Sequence, residues 1–201
     1  MRTVSIDYDV YKYQELSEQA KEKAKECYLE GKDAYWFKDD CEEILHCEFP
    51  NSELKVEFSL SYSQGDGLNI YGDLDGQDIY DTFIKDSDKF TDKEKRYLTW
   101  AMKNYGLGYH MPQNYTRYSY CAERQWDFSA DIISDMEWNN VRGIKHDVWE
   151  KYDNILKEYF SSLCGDYEKW GYEYFYEVDD ETMIEESEAN DWEYTADGKI
   201  F

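Results

Sequence analysis

The chain has 201 residues, with 46 Asp and Glu against 22 Lys and Arg, a formal net charge of −24. Such a surface repels phosphate, and no Lys/Arg cluster provides a segregated basic patch, so nucleic acid as a direct ligand is disfavoured. Low hydrophobicity with high charge raises the question of disorder, but 21 Tyr, 7 Trp and 9 Phe supply large rings from which a folded core can be built.

Residues 3–13 alternate, with Val4, Ile6, Tyr8 and Val10 on one face, and this period of two predicts a strand. Ser17 is a good N-cap for a helix through Ala20, Ala24, Cys27 and Tyr28, closed at Gly31. A second helix starts near Asp33, with an apolar stripe of Phe37, Cys41, Ile44 and Leu45 and acids on its outer side. Val56, Phe58, Leu60 and Tyr62 alternate with polar residues, and 68–74 alternate likewise. The intervening Ser63-Gln64-Gly65-Asp66-Gly67 reads as a hairpin turn. Thr91 and Glu94 form a capping box for a helix ending at Gly106. Residues 107–127 read as irregular or β, with Tyr115, Tyr118 and Tyr120 close together. An amphipathic helix over 146–163 carries Val148, Tyr152, Ile155, Leu156, Tyr159, Phe160 and Leu163 on one stripe, with Gly165 as its stop. Alternating Tyr172, Tyr174 and Tyr176 predict another strand. A short acidic helix over 179–189 and an Asp197-Gly198 turn close the chain.

Strands and helices mix without regular βαβ alternation, which predicts an α+β fold, an antiparallel sheet packed with several helices. Without a Ser/Gly/Pro-rich linker, residues 1–201 read as one acidic domain ending in an aromatic-rich segment, 166–201. No apolar run reaches the length of a membrane helix, and the N-terminus lacks a signal-peptide core. Five cysteines without C-x-x-C spacing suit free thiols in a reducing cytoplasm.

Three segments carry a resemblance. They are Glu15-Leu16-Ser17 with Ala20, Lys21 and Ala24; Ser63-Gln64-Gly65-Asp66-Gly67; and Asn190 with Tyr194-Thr195-Ala196-Asp197-Gly198. Together they resemble a group of phage and prophage proteins that share an E-L-S-x-x-A-K-x-x-A helix, an S-Q-G-D-G turn and an N-x-x-[FY]-T-x-D-G ending, some of them labelled antitoxins. Leu68 departs from the small residue, often Ala, that usually follows the turn in that group. The resemblance implies a phage origin and action in the cytoplasm of a bacterial host cell, and it implies no reaction.

Residues 166–201 hold 13 acids and two bases, interleaved with Tyr and Trp. Carboxylates fixed on rigid elements can imitate the phosphate field of a duplex and occupy a Lys/Arg-lined groove. Glu173, Glu177, Asp179, Asp180, Glu181, Glu185, Glu186 and Glu188, with Trp192 as an aromatic anchor, are the candidate partner-binding residues. The bland alternative is a solvated acidic face. Gln64 and Asp66 could serve a small polar ligand, or the turn could simply meet a backbone demand.

Asp73, Asp75 and Asp78 fail as a calcium loop, because Gly is absent at loop position six and Glu at position twelve. Cys41, His46 and Cys47 lack a fourth zinc ligand and suitable spacing. His46, His110 and His146 stand in unrelated contexts, and no nucleophile elbow is visible. The leading expectation is therefore a non-enzymatic, cofactor-free and metal-free inhibitor, anti-CRISPR-like, that binds a basic host protein such as a CRISPR effector or a restriction enzyme. The alternative is an antitoxin or regulatory module capping a basic partner. A homodimer would bury more rings, although −24 per chain opposes association unless the contact is apolar.

Overall fold

The computed structural model describes residues 9–113 and 126–201. Among them are seven α-helices and one three-stranded antiparallel sheet, an α+β fold. The chain forms two compact units. One takes its described residues from Met1–Ala34 and Trp170–Phe201, and the other is Tyr35–Lys169.

In the larger unit the expected hairpin forms from Glu53–Ser59 (β1) and Gly67–Leu74 (β2), paired from Glu53↔Asp73 to Ser59↔Gly67. Tyr109–Met111 (β3) joins the other side of β2, with His110 opposite Asp73. Successive strand residues point to opposite faces. Leu54, Val56, Leu68, Ile70 and Met111 are therefore buried on one face, while Glu53, Lys55, Asp73 and His110 are exposed on the other. The helix Ala34–Glu48 (α2) buries Phe37, Cys41 and Leu45, and the Phe37 ring meets Phe58 edge-on at 5.1 Å.

Asp75 caps the short helix Gly76–Ile79 (α3), which runs into a π-helical turn at Tyr80–Lys85. Thr91 and Glu94 form the expected capping box of Asp92–Tyr105 (α4). Ala130–Trp138 (α5) is a further helix, which the sequence patterns did not announce. Its stripe, Ile132 and Met136, is too brief to set a period.

His146–Tyr176 (α6) is the long helix, and it corrects two expectations. Gly165 does not stop it. A glycine inside a helix costs about 1 kcal/mol relative to alanine, and burial of Cys164 and Tyr167 on either side offsets that cost. Residues 172–176 are helical, not a strand. The alternation of Tyr with Glu and Phe there is incidental. The governing period is helical, and Tyr172 and Tyr176, one turn apart, bring their rings to 6.1 Å. In the larger unit Phe160 is fully buried, with ring centroids of Phe49, Trp126 and Phe128 at 5.6, 6.0 and 5.9 Å.

In the smaller unit Ser17 caps Glu18–Glu30 (α1), accepting a hydrogen bond from the Ala20 N–H. Asp180–Ala189 (α7) is the expected acidic helix. The core is Tyr13, Leu16, Ala20, Ala24, Met183 and Tyr194. Of the expected first strand, residues 3–8 lie outside the described residues. The described remainder makes one antiparallel bridge, Tyr11↔Tyr194, then a 3₁₀ turn at Tyr13–Glu15. Tyr115, Tyr118 and Tyr120 also lie outside the described residues. No helix among the described residues is long and apolar enough to cross a membrane.

Candidate acidic interaction surface

The acidic segment separates into carboxylates that hold the fold and carboxylates that face water. Asp179 is the N-cap of α7, where its Oδ1 accepts from the Thr182 N–H at 2.8 Å. That bond holds its pKa below the ordinary carboxylate range. Asp180 Oδ1 lies 2.7 Å from Lys25 Nζ and accepts from the Tyr13 hydroxyl at 2.9 Å. Lys25 and then Tyr13 lower the Asp180 pKa, and Asp180 in turn raises that of Lys25. Trp192 is half-buried, its ring edge-on to Tyr28 at 6.2 Å, so it packs the smaller core.

Asp197 is likewise held, by Lys23 and the Thr195 hydroxyl, whereas the exposed acids of α7 point outwards. Met183 and Ser187 form the buried side of α7. Glu181, Glu185 and Glu188 fall at i, i+4 and i+7 on its exposed side. Glu188 accepts a long bond from Gln14 at 3.4 Å, and Glu186 one from Asn190 at 3.3 Å. Glu177, Glu181 and Glu185 are exposed and make no ion pair with a described residue. Glu173 is exposed near the end of α6.

Local energetics oppose this arrangement. Like charges at i and i+4 destabilise a helix by roughly 0.2–0.5 kcal/mol per pair. The C-terminal end of a helix dipole disfavours anions, yet Glu186 and Glu188 sit there and the last turn contains no base. Along the helix axis the exposed carboxylates are spaced by about 4.5–6 Å, of the same order as the roughly 3.4 Å rise per phosphate of one DNA strand.

The Ser63–Gly67 turn is organised around Asp66. Its buried carboxylate accepts from Ser61 N–H (2.6 Å), Ser63 N–H (2.8 Å) and the hydroxyls of Ser59 (2.9 Å), Ser63 (2.9 Å) and Ser61 (3.3 Å). Burial pushes its pKa up, but the Ser63 and Ser61 N–H groups and the hydroxyls outweigh this and hold it far below the usual value. Gln64 is exposed.

One juxtaposition has no counterpart in the sequence reading. His110 Nδ1 and Asp73 Oδ1 are 2.6 Å apart, both well exposed, across β2 and β3. They border an open groove of about 420 Å³ lined also by Asn51, Glu53, Asp75 and Tyr109. Strand pairing alone joins residues 37 positions apart, and no local sequence signal announces it. The described residues contain no group of three or more His, Cys, Asp or Glu side chains suited to a metal ion.

Comparison with protein-family models, with curated proteins and with solved structures finds no match to this chain.

Proposed function

We propose that this protein is a phage-encoded inhibitor that binds a basic, nucleic-acid-binding host defence protein, a CRISPR effector first and a restriction enzyme second. The contact is the exposed acidic side of α7. The observation that carries the reading is the exposed row Glu181, Glu185 and Glu188, kept although its like charges repel one another, with Glu188 and the half-buried Glu186 beside it also opposed by the helix dipole. A local cost retained on an exposed surface indicates a gain elsewhere, and a Lys/Arg-lined groove supplies one. Asp179, Asp180 and Trp192 belong to the support of this surface and not to its contact.

The mechanism needs no chemical step. Carboxylates held at phosphate-like spacing enter the groove, neutralise its cations and exclude the nucleic acid. Such binding is fast and weakens with salt.

The test is an interference assay in cells with Glu181→Lys, Glu185→Lys and Glu188→Lys combined. The triple variant keeps its circular dichroism spectrum and loses inhibition. Inhibition equal to that of the unaltered protein would exclude this face as the contact. Capture of a small basic toxin in place of a nuclease complex would favour a capping module.

A further inference from the structure

A second surface stands out on α2. Its buried stripe is Phe37, Cys41 and Leu45. At about 100° per residue, the side opposite that stripe consists of Trp36, Asp39, Glu43 and His46, flanked by Cys47 and Asp40, all exposed. Trp36 is 60% exposed, so it contributes little to the core behind the helix. Its indole is held by the Tyr35 ring, edge-on at 5.5 Å, and Tyr35 is itself 62% exposed. Ile44, on the flank of the same face, is 44% exposed.

Carboxylates surround these apolar groups. Asp40 lies one turn beyond Trp36, Glu43 two turns, and Asp39 beside them. Asp39, Asp40 and Glu43 make no ion pair with a described residue, whereas the nearby Lys38 is engaged by Glu42 at 3.6 Å. The face therefore joins a presented indole to a line of acids on one rigid helix.

Its chemistry selects an occupant. A second copy of this chain, or an anionic membrane, brings more negative charge against a protein of net charge −24. A basic segment brings the complement. Among cations, the guanidinium is planar and weakly hydrated, stacks on an aromatic face and still donates N–H groups to a carboxylate in its plane. An ammonium does this less well.

We propose that the outer face of α2 docks an arginine-bearing, amphipathic segment of a partner protein, with one guanidinium on the Trp36 indole and paired with Asp40. Apolar side chains of that segment cover Ile44. This surface uses none of the α7 residues and does not depend on the identity of the defence protein.

The experiment measures fluorescence anisotropy of a fluorescein-labelled amphipathic peptide of Arg, Leu and Ala, titrated with the full chain at physiological ionic strength. Trp36→Ala weakens binding about tenfold, the loss of one desolvated cation–π contact. Asp40→Asn combined with Glu43→Gln has a similar effect. The same peptide with Lys in place of Arg binds more weakly. The α7 triple reversal changes the affinity less than about twofold, so this outcome is independent of the interference assay. All the substituted side chains are exposed, and circular dichroism verifies that each variant folds.

Absence of peptide binding would overturn the proposal. So would unchanged binding by Trp36→Ala, or a loss on reversing α7 as large as that on removing Trp36, because attraction would then be general. Sedimentation showing self-association that Trp36→Ala abolishes would give the face to a second copy and also overturn it.

Discussion

Gly198 lies directly against Ala20. A Cβ placed on Gly198 would fall 2.1 Å from the Ala20 carbonyl oxygen, and the glycine has φ +85°. The two residues belong to the E-L-S-x-x-A-K-x-x-A segment near the N-terminus and the Y-T-x-D-G segment near the C-terminus. Lys23 and Asp197 stand beside them at 3.3 Å, and the Thr195 hydroxyl donates to Asp197 at 2.6 Å. Those two motifs meet in space as a folding device of the smaller unit: a small residue on α1 admits the C-terminal turn.

Gly198→Ala combines a strained backbone with a collision against main chain. Each alone costs on the order of 1–3 kcal/mol, so the variant loses at least about 2 kcal/mol. Urea denaturation followed by tryptophan fluorescence measures this, Trp192 being packed beside the same core.

Phe160→Ala empties the centre of the ring cluster in the larger unit. Phe160 is fully buried, and removal of a buried Phe costs about 3–5 kcal/mol. A lowered midpoint in the same denaturation experiment checks it. Stability close to that of the unaltered chain would show that the neighbouring rings close the gap.

Acid unfolds the protein. Hydrogen bonds from the Thr91 N–H, and then Lys151, hold the Glu94 carboxyl down at about 2, and the Thr195 hydroxyl holds Asp197 at about 2. Folded pKa values below the unfolded ones mean that the contribution is fully present above pH ~4.5 and is lost as the pH falls towards ~2. Thermal melts across that window show a falling Tm. Glu94→Gln flattens the slope, because that proton uptake no longer differs between the two states.

Asp66 and Gln64 separate cleanly. Gln64→Ala is nearly silent, within about 0.5 kcal/mol, as for most surface substitutions. Asp66→Ala leaves the Ser61 and Ser63 N–H groups without their acceptor and lowers the Tm. Hydrogen exchange at those two amides accelerates in Asp66→Ala only. Equal exchange in both variants would contradict a turn built on this carboxylate.

Salt stabilises the chain. With a net charge of −24, self-repulsion opposes the compact state. The Debye length shrinks from about 30 Å at 0.01 M to about 8 Å at 0.15 M. Tm therefore rises with sodium chloride over that range, the reverse of what a fold held by surface ion pairs would show.

Much of the fold was legible because its signals are local. The β1–β2 hairpin follows from period-two alternation around a glycine-rich turn, and the caps at Ser17 and Thr91 follow from side chains that reach their own backbone. The errors also have a local cause. Tyr172, Tyr174 and Tyr176 satisfy a strand pattern, but the backbone is already helical when it reaches them. Gly165 carries a stop signal too weak to end a helix supported on both sides.

The acidic surface was partly legible. Composition located it, but could not divide it. Asp179 and Asp180 have the same chemistry as Glu181 and Glu185 in the sequence, and only the positions of the Thr182 N–H, Lys25 and Tyr13 turn the first pair into fold supports. The pairing of His110 with Asp73 was invisible, since it depends on strand register.

The sequence by itself determined the charge, the ring-rich core, the hairpin, the caps and the periods of the main helices, because these depend on residues within a few positions of one another. Tertiary structure decided which carboxylates are held and which face solvent. It also decided that Gly198 lies on Ala20. These are contacts or exposures set by residues distant in the chain, and no local pattern encodes the distance between them.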